Sequence, residues 1–122
     1  MSKTVGVLER TGEPGRLEDL ADYSTALVRR LGILAVTVDE QVTPILRNLR
    51  RLSGVAVAAV PAEYAGSNPG LAPGDVIYAL NGKGVGSVDE LRDALKAKKT
   101  GDPVALLVER SGQLIYVTAA LD

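Results

Sequence analysis

The chain has no cysteine, no histidine, no phenylalanine and no tryptophan, and four tyrosines among its 122 residues. Each absence removes a class of function. Without cysteine there are no disulfides, no thiolate nucleophile and no zinc site of the usual thiolate kind. Without histidine no imidazole can serve as general base, so neither a Ser-His-Asp nor a Cys-His device can be assembled. The scarcity of aromatics leaves few platforms for stacking bases, and a net charge of −1 offers no basic excess to displace counterions. Nucleic acid is therefore not an expected partner. No apolar run approaches the length of a bilayer span, and no basic start leads into an apolar segment of signal-peptide type. The carboxylates show no spacing for calcium or a two-metal site, and no GxSxG nucleophile motif occurs. No metal or cofactor is expected, and the chain by itself carries no catalytic machinery.

What is present suits one domain with an aliphatic core: 46% of the residues are hydrophobic, drawn almost wholly from Ala, Val, Leu and Ile. Residues 3–9 alternate as a strand does, and residues 16–28 have weak helical spacing. Leu31 to Val38 is an apolar run rich in β-branched residues, a strand entered through Gly32. Asp39 or Thr43 can cap a helix with Pro44 in its first turn. Ile45, Leu49 and Leu52 form its apolar face, Arg47, Arg50 and Arg51 its solvated one, and Gly54 ends it. Val55 to Val60 and Val76 to Leu80 read as further strands, separated by a loop over 61–69. Asn81-Gly82 is a strong tight-turn signal, because both positions tolerate positive φ. Ser87-Val88-Asp89-Glu90 reads as a capping box opening a helix to about Lys99, with Leu91 and Leu95 on one face. Val104 to Glu109 and Gln113 to Ala120 then form a hairpin around Ser111-Gly112.

Two glycine segments invite a binding role. Gly82-Lys83-Gly84-Val85-Gly86 lacks both the GxGxxG register and a GK[ST] ending, so turn formation accounts for it better than phosphate binding. Arg29-Arg30-Leu31-Gly32-Ile33-Leu34 opens a strand with an apolar-Gly-apolar-apolar turn. Such a turn can gather backbone N–H groups around a small concavity that suits a carboxylate. From spacing alone, an ordinary strand start is the better account.

The block Gly70-Leu71-Ala72-Pro73-Gly74-Asp75-Val76-Ile77-Tyr78-Ala79-Leu80-Asn81-Gly82 resembles the GL-x-x-GD-x-I-x-x-x-NG signature of bacterial PDZ domains, the modules attached to HtrA-type trypsin-like serine proteases. The resemblance covers roughly Arg29 to Leu121. It implies a mainly β fold with two helices, a partly open five- to six-stranded sandwich or barrel, circularly permuted relative to animal PDZ domains. Residues 29–122 would form that domain. Residues 1–28 match nothing in it and would be an extension, either an added strand or the tail of a preceding domain. The loop over 61–69 is also longer, and richer in Gly and Asn, than the compact turn usual before the signature.

What the resemblance implies about function is peptide capture by strand addition. Leu31, Gly32, Ile33 and Leu34 would bind a peptide's terminal carboxylate, the amides of Gly32, Ile33 and Leu34 donating and Arg30 assisting through water. Ala35, Val36, Val88, Leu91 and Leu95 would line the groove, and Leu31, Ile33, Leu91 and Leu95 would wall the pocket for the last side chain. Expected partners are peptide or unfolded-protein C-termini ending in aliphatic residues, with a protease domain in the parent protein. The family resemblance suggests the cell envelope or periplasm. The competing expectation is a structural or assembly domain whose groove is occupied by its own N-terminal segment or by a neighbouring subunit.

Overall fold

Asn81-Gly82 and Ser111-Gly112 turn the chain back on itself because all four residues adopt left-handed conformations, with φ of 51°, 83°, 52° and 80°. Paired positive φ values give a turn whose twist matches that of the flanking strands. A computed structural model describes residues 23–39 and 53–121. In chain order these form α1 (Tyr23–Ala26), β1 (Leu27–Val28), a 3-10 turn (Arg29–Leu31), β2 (Ile33–Thr37), β3 (Val55–Ala59), a 3-10 helix (Ala62–Ser67), β4 (Val76–Leu80), β5 (Lys83–Gly84), α2 (Val88–Lys96), β6 (Pro103–Arg110) and β7 (Gln113–Ala120). The strand expected over 3–9 and the helix expected around 43–53 lie outside the described residues.

The strands form one antiparallel sheet in the order β1-β2-β3-β4-β6-β7, with β5 pairing β4. Among the described residues the sheet is open. The mainly β architecture with helices is therefore the expected one. Among the described residues there are seven strands where five or six were expected, the additional short ones being β1 and β5. The first described helix is the single turn α1, within the segment of weak helical spacing.

Side chains alternate across the sheet. Val55, Val57, Ile77, Leu106 and Val108 point into a large cluster roofed by Val88, Leu91 and Leu95 of α2. Ala56, Ala58, Val76 and Tyr78 point to the opposite face, with Val38 beside them. Tyr78 is the one aromatic in these two clusters, and its buried hydroxyl donates to Glu109 Oε1 at 2.5 Å, as a buried phenol requires a partner. The capping box opens α2: Ser87 Oγ accepts from the Glu90 amide at 3.1 Å. Glu90 reaches one residue further back than expected and accepts from the Gly86 amide at 2.6 Å. The helix ends at Lys96, three residues short of the expected limit.

Asp75 explains the GD pair of the signature. Its side chain is buried and accepts from the Ala72 amide at 2.9 Å, closing the turn before β4. Arg110, at the end of β6, grips it twice, Nε to Oδ1 at 2.9 Å and Nη2 to Oδ2 at 2.6 Å, and also donates to the Gly70 carbonyl. The hydrogen bond and charge of Asp75 hold the Arg110 guanidinium above the usual arginine value. A two-pronged pair of this kind fixes orientation as well as position.

Candidate functional site

Gly32 sets the shape of the site. It ends the Arg29–Leu31 turn in the left-handed region, at φ 65° and ψ 38°, and its amide donates to the Arg29 carbonyl at 3.1 Å. No other residue fits: an added Cβ would stand 2.3 Å from the Tyr64 carbonyl oxygen and 3.0 Å from the Asn68 nitrogen. The long loop over 61–69 is thus the back wall of this turn. Asn68 holds that loop in place. Its Oδ1 accepts from the amides of Leu71 (2.9 Å) and Gly70 (3.2 Å), and its Nδ2 donates to the Leu71 carbonyl at 2.8 Å. The Arg29 guanidinium lies over the Tyr64 ring, 5.6 Å from its centroid, a favourable cation–π placement. Sequence reasoning missed Tyr64 and Asn68. Asn68-Pro69-Gly70 was the available signal, since asparagine before such residues builds turns through its side chain.

Strand β2 leaves the turn facing α2, and the two are tied at both ends. The Val88 amide donates to the Thr37 hydroxyl at 3.1 Å. At the other end Arg30 Nη1 donates to the carbonyls of Leu95 (2.5 Å), which also accepts from the Lys98 amide at 3.0 Å, and of Lys98 (2.8 Å), just beyond the last residue of the helix. A cation there also suits the helix dipole.

The structure brings Leu31, Ile33, Ala35, Val88, Leu91 and Leu95 into one cluster. Leu34 and Val36 pack with the opposite cluster, so only their backbone belongs to the slot. In the peptide-free chain Arg30 is turned onto the helix carbonyls, and the Gly32 amide donates to the Arg29 carbonyl.

The slot is also filled. Strand β1 pairs antiparallel with β2 through Leu27↔Leu34 and Val28↔Ile33. Because β3 takes the other edge of Leu34, β1 lies on the edge toward α2. Arg92 of α2 donates to the carbonyls of Thr25 and Leu27, the latter at 2.9 Å. Val28 is 3% exposed and belongs to the cluster of Leu31, Ile33, Leu91 and Leu95, themselves no more than 2% exposed. The expected pocket walls are therefore covered here by the chain's own aliphatic residue.

An extended segment thus lies between a strand and a helix and stops at a glycine turn. The model of the PDZ domain family matches residues 29–121. The chain belongs to the PDZ domain family.

Relatives narrow the kind of PDZ domain. The chain is 31% identical over 87 residues to HhoB of Synechocystis sp., by its name a serine protease, covering 66% of this chain and 21% of the relative. It is 33% identical over 70 residues to the Do-like serine protease HtrA of Lactobacillus helveticus, covering 57% and 17%. A DegP-like protein of Chlamydia trachomatis, by its name a periplasmic serine endoprotease, is 28% identical over 95 residues, covering 78% and 19%. The chain thus spans about a fifth of the length of the curated relatives it matches. Among solved structures, the HtrA3 PDZ domain superimposes with a TM-score of 0.63 at 23% identity, over 75% of this chain and 84% of that one. The HtrA-type protease AlgW gives 0.63 at 24% identity, over 75% and 28%. The fold is that of HtrA PDZ domains.

Proposed function

We propose that this PDZ domain is a non-catalytic module that takes up peptide or unfolded-protein C-termini by strand addition to β2, serving as the recognition domain of an HtrA-type serine protease. The observation that supports it most is the slot itself, which already accommodates an extended strand antiparallel to β2. Main-chain pairing along that edge supplies affinity, and a side-chain pocket supplies selectivity. The solved HtrA3 PDZ domain carries a phage-derived ligand and AlgW a decapeptide, a use carried over here by proposal. The amides of the Gly32 turn would receive the carboxylate once the Arg29 carbonyl lets go. Leu31, Ile33, Leu91 and Leu95 offer aliphatic walls without an aromatic, which favours a terminal Val, Leu, Ile or Ala. Burying one such side chain contributes roughly 1.5–3 kcal/mol. Addition of four or five residues then gives affinity on the order of micromolar. The periplasmic names among the relatives support placement in the cell envelope.

The test is a titration with a peptide ending in free Val and with its C-terminal amide. The amide should bind far more weakly, and Leu95→Ala should cost about 1–3 kcal/mol of binding in a folded protein. Equal affinity for acid and amide would exclude carboxylate capture. A second reading, a structural domain whose slot is permanently closed, draws on the β1–β2 pairing. It requires that no C-terminal peptide bind at all.

A further inference from the structure

We propose that residues 25–28 are a built-in pseudo-ligand, a strap that gates the slot and must leave before a peptide enters; this rests on the peptide-binding reading above. The strap copies an incoming strand in direction and position. It runs antiparallel to β2, pairs with Ile33 and Leu34, and buries Val28 among the residues that would wall the terminal pocket. Beyond Val28 the chain continues instead of ending, and the neutral Arg29 carbonyl accepts the Gly32 amide. Leu34 has β3 on one side and β1 on the other, so strap and peptide exclude each other there.

The same details make the strap displaceable. Its ladder is two residues long and is preceded by a single helical turn. Arg92, which bonds it to α2, has a side chain that is 29% exposed and has Asp89 as a further partner at 3.9 Å. A free peptide end brings a charged carboxylate where the strap offers a neutral carbonyl, and ionised acceptors make hydrogen bonds roughly twice as strong. The gate thus discriminates for true C-termini. Peptide affinity is lowered by the fraction of molecules with the strap released.

The experiment uses the full chain with Leu27→Pro or Val28→Asp, both confined to the strap, and a fluorescein-labelled decapeptide ending in a free Val. Folded variants should bind at least about tenfold tighter than the parent, equivalent to 1.4 kcal/mol. In the parent, saturating peptide should speed hydrogen exchange at the amides of Leu27 and Val28 while leaving β3 protected. This second readout decides the matter should both variants fail to fold. Parent and folded variants binding equally, or bound peptide leaving Leu27 and Val28 protected, overturns the gate alone. Absence of binding by the parent and by every folded variant overturns the peptide-binding reading together with the gate.

Discussion

Strand β2 is paired along both edges, to β3 over Leu34, Ala35, Val36 and Thr37, and to β1 over Ile33 and Leu34 alone. On the β3 side, Val55, Ala56 and Val57 are fully buried, so that edge is part of the core. On the β1 side, Leu27 is half-buried and the tie to the neighbouring helix runs through one partly exposed arginine. Two ladders on the same strand therefore have different standing. One is cemented by side-chain packing over both faces of the sheet. The other buries one of its two side chains, Val28, and is otherwise held by hydrogen bonds that water or another strand can replace. Local openings in proteins follow this difference, because segments with little buried apolar surface open at lower cost than the core.

Substitutions can break this comparison. The largest loss is expected at the turn both ladders share. Gly32→Ala combines a left-handed backbone with a Cβ driven against the Tyr64 carbonyl, and urea denaturation should show about 2 kcal/mol or more of lost stability. A loss of a few tenths would mean that the turn relaxes freely. Next come the ladders themselves. Val57→Ala on β3 should cost about 2 kcal/mol, whereas Leu27→Ala on β1 should cost under about 1 kcal/mol. Equal losses would erase the distinction between core edge and slot edge. Arg92→Ala should have the smallest effect on global unfolding. It should nonetheless speed hydrogen exchange at Leu27 and Val28 with β3 unchanged, and slower or unaltered exchange there would show that Arg92 does not hold the strap.

Much of the frame was legible from local signals. Asn81-Gly82 and Ser111-Gly112 announce turns because their backbone demands are local, and both turns occur, with positive φ expected at the first pair and found at both. The Ser87 cap was equally readable, since a helix start depends on neighbours three residues apart. The signature run Val76–Leu80 is the central strand its apolar character suggested. Harder to read were contacts made across long separations. Nothing near Arg30 in the chain says that its guanidinium will close the end of a helix more than sixty residues away. Tyr64 and Asn68 lay in a segment marked only by its unusual length, yet their backbone dictates that Gly32 carry no side chain.

Residue order alone determined the aliphatic core, the turns, the cap and the glycine-led strand, because each follows from periodicity or from a backbone preference that a few adjacent residues settle. It also determined what chemistry is missing, since a chain without histidine or cysteine cannot acquire either by folding. Occupancy of the slot was decided only in three dimensions. Whether β2 offers a bare edge or one already paired depends on where Leu27 and Val28 come to rest, and Arg92, distant in the chain, supplies the bonds that hold them there. Hydrogen bonds between strands carry no sequence label, so the competition for one edge becomes visible only once all the strands are placed.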